Sequence, residues 1–136
     1  MPVRSLTFGK AAALGFAIWS ASSMTGMAQE KDGKVFYMEF CASCHGANLE
    51  GQPDWRQRLP NGRLPAPPHD ETGHTWHHSD EQLFRIVKEG LATIAPGYET
   101  DMPAYAGVLD DAQIEAILDY IKGTWPHRER DIQQSR

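Results

Sequence analysis

The chain has 136 residues, and 13 basic residues against 18 acidic ones give it a formal net charge of −5. That length fits a single domain. The acidic balance argues against a nucleic-acid-binding protein, because such proteins neutralise phosphates with lysine and arginine. We therefore expect one acidic domain with no nucleic-acid partner.

The N-terminus has the pattern of a cleavable secretory signal peptide. Arg4 and Lys10 supply positive charge, residues 11–21 form a short apolar run, and GMA at 26–28 places small residues where a signal peptidase cleaves. We predict that residues 1–28 are removed and that the protein is periplasmic. The alternative is an anchor in the inner membrane by an uncleaved signal, although a span needs about 20 apolar residues. Cleavage would leave 108 residues with a net charge of −7.

Three helices separated by two long loops are predicted from the spacing of apolar residues, at about 31–40, 79–90 and 110–123. The positions expected to face the core are Val35, Phe36, Phe40, Leu83, Phe84, Val87, Ile114, Ile117, Leu118 and Ile121. Capping boxes are predicted at the start of the second and third helices: Ser79 with Gln82, and Asp110 with Gln113. No alternating strand pattern of any length appears, so the predicted fold class is all-α.

The two loops, 47–78 and 91–109, are rich in proline and glycine. A loop as long as the first is unusual in a compact domain and usually has a function or wraps around something. The domain itself is predicted to cover 29–126. The remaining segment, 127–136, is a polar C-terminal tail that we expect to fray.

The two cysteines of the chain, Cys41 and Cys44, lie with His45 in one Cys-x-x-Cys-His motif. This motif is the attachment signature of a c-type haem, because two thiols three positions apart reach the two vinyl groups and the next imidazole can ligate the iron. A disulfide here would close almost no loop and stabilise little. A zinc site lacks a fourth protein ligand, and a thioredoxin-like pair would need strands. We predict covalent haem at Cys41 and Cys44, with His45 as an axial ligand.

The second axial position decides the function, since Met/His ligation suits an electron-transfer iron. Two methionines remain after the predicted cleavage. Met38 lies three residues before Cys41 on the same helix and cannot reach the opposite haem face. Met102 lies 57 residues after His45, and Pro103 restricts it to extended backbone. We predict Met102 as the second ligand; the alternative is an ordinary core or loop methionine.

The first loop offers candidates for the haem surroundings. Donors to the anionic propionates are expected among its arginines and tryptophans: Trp55, Arg56, Arg58, Arg63 and Trp76. Pro67 and Pro68 are expected to pass beside His45, where a backbone carbonyl would accept the N–H of its ring.

The histidines of this loop leave alternatives open. His74, His77 and His78 are close enough in sequence to bind copper or zinc, or one of them could supply the sixth iron ligand. The other interpretation makes them, like His69, polar loop residues.

The chain resembles the class I, monohaem c-type cytochromes over about 33–125. The resemblance rests on CASCHG at 41–46, Gly33 and Phe36 in the first helix, Tyr120 in the last, APP at 66–68 and DMPAY around Met102. It implies the small class I cytochrome c fold, with three main helices and long loops around one haem. It also implies that Gly33 and Tyr120 meet where the first and last helices cross. The chain departs from the simplest members at 54–78, which is longer and richer in Trp, Arg and His.

We therefore predict a periplasmic one-electron carrier, not an enzyme, with one haem c held by Cys41 and Cys44 and ligated by His45 and Met102. We expect a monomer that meets redox partner proteins or serves a redox enzyme as a subunit. The alternatives are a haem enzyme or gas-binding protein with an open sixth position, and a cytochrome with an added copper or zinc site.

Overall fold

The computed structural model describes residues 23–136, and the side chains from residue 32 onward. Five helices form this part of the chain: α1 Ser23–Phe40, α2 Ala42–His45, α3 Asp80–Glu89, α4 Asp111–Thr124 and α5 His127–Gln134. Two short 3-10 turns, Thr75–His77 and Leu91–Thr93, flank α3. The described residues contain no strand, which confirms the all-α prediction. The predicted signal lies mostly outside the described residues.

Helices α1 and α4 cross closely because α1 has a glycine at the contact. A Cβ on Gly33 would lie 2.0 Å from the Ala116 carbonyl oxygen and 3.1 Å from Tyr120 Cβ. One turn further on, the fully buried Tyr37 ring packs against Tyr120 with 5.4 Å between ring centroids. The predicted meeting of Gly33 and Tyr120 is confirmed. This crossing sets the direction in which α1 presents its C-terminal end.

The core lies between α1, α3 and α4. Its buried side chains are Tyr37, Leu49, Leu83, Val87, Leu109, Ile114, Ile117, Leu118, Ile121 and Trp125. The prediction for Val35 is wrong, since its side chain is 61% exposed. Gly33 and Tyr37, four residues apart, occupy the α1 face against α4, and Val35 lies between them in sequence, so it points away.

Local signals fix the starts of α3 and α4. Ser79 accepts a hydrogen bond from the Gln82 backbone and Asp110 accepts one from Gln113, each with the reciprocal side-chain bond, so both predicted capping boxes are confirmed. Helix α4 continues through Gly123 and ends one residue later. Among the described helices, none is long and apolar enough to cross a membrane.

The expectation of a frayed tail is wrong, because residues 127–134 form α5. Glu129 and Gln133, one turn apart, are each only 6% exposed. The Gln133 side-chain amide donates to Asp80 Oδ1 at the start of α3 over 2.6 Å. Helix α5 also packs against the turn Thr75–His77. The C-terminal segment therefore covers the turn that leads into α3.

Candidate functional site

The Cys-x-x-Cys-His motif forms the junction between α1 and α2. The Cys41 N–H donates to the Tyr37 carbonyl and the His45 N–H donates to the Cys41 carbonyl, both over 2.9 Å. Gly46, with φ of 84°, follows α2, and the Tyr37 hydroxyl donates to its carbonyl over 2.8 Å. Cys41 is half-buried, Cys44 is exposed, and both are free thiols. One helical turn thus presents two thiols and an imidazole together.

The ring of His45 is buried and held in one tautomer. Its Nδ1 lies 2.8 Å from the Pro67 carbonyl oxygen, which can only accept, so Nδ1 carries the proton. Nε2 is therefore the ring nitrogen left for a metal. Burial lowers the pKa of His45, against the opposing effect of the Pro67 hydrogen bond, and this favours the neutral form that ligates metals. The predicted carbonyl contact from the proline run is confirmed.

Two glycines, Gly51 and Gly73, pack closely against the backbone of the proline run at 65–68. A Cβ on Gly51, which has φ of 69°, would lie 2.4 Å from the Pro68 nitrogen. A Cβ on Gly73 would lie 2.0 Å from the Pro68 carbonyl oxygen. The Gly51 N–H also donates to the His45 carbonyl over 2.7 Å. The backbone on both sides of Pro68 is thus too close for any side chain, and this fixes the neighbouring Pro67 carbonyl over His45.

Met102 lies in a loop that is hydrogen-bonded through Tyr105 to the end of α1, next to the cysteines. The Tyr105 hydroxyl donates over 2.6 Å to the carbonyl of Phe40, the residue directly before Cys41. Burial, and then the nearby Cys41 and Cys44, raises the pKa of Tyr105. The Met102 side chain is half-buried and packs against the core. The loop that carries the predicted sulfur ligand therefore lies beside the end of α1. Tyr105 belongs to the DMPAY segment around Met102, but its hydrogen bond to Phe40 was not predicted from the sequence.

Trp76 provides a test of whether these residues fit a haem. Among the described side chains, its indole N–H is the buried polar group without a hydrogen-bond partner. Leaving such a donor unpaired costs about 1–3 kcal/mol. An anionic acceptor on a bound group, such as a haem propionate, would satisfy it. The Arg128 guanidinium lies 5.8 Å from the Trp76 ring centroid, but it already forms an ion pair with Glu129 over 2.8 Å. The unpaired donor of Trp76 thus fits a haem, whereas Arg128 has a partner within α5.

The other candidate donors lie elsewhere on the loop. The Arg56 guanidinium lies 4.5 Å from the Trp55 ring centroid, and the Trp55 ring stacks on His74 at 5.5 Å. Arg63 forms an ion pair with Asp101, next to Met102. Trp55 and Arg56 therefore remain predictions as haem neighbours, whereas Arg63 has a partner within the chain.

The histidine-rich segment shows ring contacts but no metal site. The His74 and His78 ring centroids are 5.7 Å apart, and the Trp76 and His77 centroids are 3.7 Å apart. Within residues 32–136, no three or more His, Cys, Asp or Glu side chains are arranged to hold a metal ion. The geometry gives no support to the copper or zinc interpretation.

Comparison with known proteins agrees with the site. Residues 30–125 match the family model described as cytochrome c. The chain is similar to the Cbb3-type cytochrome c oxidase subunit CcoP of Azospirillum brasilense, with 32% identity over 97 residues, 71% of this chain and 29% of that protein. The chain thus spans less than a third of this relative's length. No solved structure matches.

Proposed function

Because the chain belongs to the cytochrome c family, we propose that it is an exported one-electron carrier with one covalently attached haem c. The observation that carries the proposal is the turn at 41–45. It places two free thiols beside a buried imidazole whose Nδ1 is already engaged by Pro67. That imidazole has one nitrogen left for an iron.

Each residue of the site has a separate task in this proposal. When bound, the haem supplies an iron that gains and loses one electron. Cys41 and Cys44 would hold the haem through thioether bonds, and His45 Nε2 and Met102 Sδ would ligate the iron. The Pro67 carbonyl keeps the imidazole oriented, and Trp76 Nε1 would donate to a propionate. Because the chain would supply both of these iron ligands, little would have to rearrange when the iron changes charge.

The acidic surface and the similarity to an oxidase subunit guide the proposal for partners. A net charge of −7 on the mature chain favours basic redox partners, which long-range electrostatics would steer towards it. Electron-transfer encounters are typically small and weak. The relative is by name a subunit of a cytochrome oxidase. We place the chain in the periplasm, as a monomeric donor to such a redox complex or as one of its subunits.

Spectra of the purified holoprotein test the carrier proposal. We expect c-type absorption bands that change reversibly on reduction, a far-red Met–iron charge-transfer band in the oxidised form, and resistance of the reduced form to carbon monoxide at neutral pH. Rapid and complete binding of carbon monoxide would instead favour an enzyme or gas-binding protein with an open sixth position.

Loss of both cysteines should release the haem. We expect the double variant Cys41→Ala, Cys44→Ala to lose haem in denaturing electrophoresis with haem staining, because no thioether bond remains. Ser43→Ala is the matched control, since Ser43 is exposed and lies between the two cysteines. It should keep covalent haem. Equal staining of the double variant and the control would contradict attachment at these thiols.

Replacement of Trp76 by phenylalanine should lower the reduction potential of the holoprotein by tens of millivolts. The lost N–H would leave the propionate charge less compensated, and this favours the ferric iron. Potentiometric titration measures this shift. An unchanged potential would rule out Trp76 as the propionate donor.

A further inference from the structure

The ring of His69 stacks on the ring of His45. Their centroids are 4.0 Å apart and their planes differ by 23°. The sequence suggested only a polar loop residue at 69. In the structure the His69 ring lies against one face of the His45 imidazole, and the proposed function makes that imidazole an iron ligand.

Three hydrogen bonds hold His69 on both its backbone and its ring. Its N–H donates to the Leu49 carbonyl over 2.8 Å, and its carbonyl accepts the Trp125 indole N–H over 2.7 Å. Its Nδ1 lies 2.7 Å from the hydroxyl of buried Thr75. The Tyr37 ring meets its edge at 6.4 Å, close to perpendicular. The ring cannot turn without breaking the bond to Thr75, so it is a rigid surface.

The ring of His45 needs such a surface. Its one hydrogen bond, to Pro67, fixes where Nδ1 points. A hydrogen bond of this kind tolerates tens of degrees of departure from linearity, so by itself it leaves the tilt of the ring plane loosely defined. A flat ring stacked on one face removes that freedom, because tilting would drive the two rings into contact closer than van der Waals distance.

We propose that His69 is a positioning residue that sets the plane of the His45 imidazole. The proposal rests on the proposed function, since it requires His45 to be an axial ligand. In a ferric low-spin haem, the plane of an axial imidazole governs how the unpaired spin is distributed over the ring. The hyperfine-shifted resonances of the four haem methyl groups report this distribution. Neighbours of a ligand commonly orient it in this way.

Proton NMR of the oxidised holoprotein tests the proposal. His69→Leu removes the flat surface, and we expect it to change the spread or the order of the four methyl shifts. His69→Phe keeps a flat ring and should stay closer to the wild type. His127→Leu is the control, because His127 is an 82% exposed histidine on α5, and it should change none of the four.

The outcomes separate the two proposals. A wild-type protein without covalent haem or without the far-red band would overturn the proposed function. Suppose that the wild type has covalent haem and the far-red band, and that the methyl shifts of His69→Leu differ from those of the wild type no more than the shifts of His127→Leu do. That result would overturn only the positioning role. If His69→Leu yields no holoprotein, His69→Met fills the same space with a flexible chain and is judged by the same comparison.

Discussion

Replacement of Met102 by alanine is expected to remove the far-red charge-transfer band and to let carbon monoxide bind the reduced holoprotein. Alanine has no sulfur to donate, so the sixth position becomes accessible. The reduction potential should fall by a substantial part of the roughly 0.8 V range that axial ligands span, because a soft thioether favours the ferrous iron. Tyr105, three residues along, would still tie the loop to Phe40. The effect should thus be on the ligand and not on the fold.

Met38→Ala is the matched control. Met38 is 45% exposed on α1 and is the other methionine in the predicted mature chain. The far-red band, the resistance to carbon monoxide and the reduction potential of the Met38→Ala holoprotein should match those of the wild type. Absorption spectra and potentiometric titration of both variants provide the comparison. If Met102→Ala keeps the far-red band, another residue supplies the sixth ligand.

Replacement of Gly33 by alanine is expected to destabilise the protein by about 1–2 kcal/mol. Helix propensity alone would favour alanine by roughly 1 kcal/mol. The new methyl group, however, would lie 2.0 Å from the backbone oxygen of Ala116, which sits inside a packed helix and cannot turn aside. Overpacking of this kind typically costs about 1–3 kcal/mol. We therefore expect the clash to outweigh the propensity. Urea unfolding of the holoprotein, followed by far-ultraviolet circular dichroism, measures the change.

Gly123→Ala is the control, and we expect it to change the free energy of unfolding in the opposite direction. Gly123 is exposed and helical near the end of α4, so alanine there should stabilise by a few tenths to about 1 kcal/mol. A destabilised Gly33→Ala beside a neutral or stabilised Gly123→Ala would support the close crossing of α1 and α4. Stabilisation by both substitutions would show that the two helices have room to separate.

The sequence was most informative where structure depends on neighbours along the chain. The capping boxes at Ser79 and Asp110 join residues three apart, so the residue pattern alone predicts them. The haem-attachment motif is equally local. The contact between Gly33 and Tyr120 was predicted from the resemblance to a known family and not from periodicity.

Prediction from the sequence failed where the burial of a residue depends on contacts with distant parts of the chain. Helix α5 looked like a polar tail because the residues that it buries, Glu129 and Gln133, are themselves polar. Its packing depends on Asp80 and on the turn Thr75–His77, and neither is visible from the tail's own pattern. The same holds for His69, whose role depends on a ring that lies 24 positions earlier in the chain.

The contacts of the site differ greatly in their separation along the chain. Cys41, Cys44 and His45 lie within one turn, whereas the His45–Pro67, His69–Trp125 and Phe40–Tyr105 hydrogen bonds join residues 22, 56 and 65 positions apart. Closing such loops costs chain entropy that a single turn does not incur. Under the proposed function, haem attachment at these residues would therefore require no folded domain. The bound haem would then act as the nucleus around which these distant segments assemble, and attachment and folding would be consecutive steps.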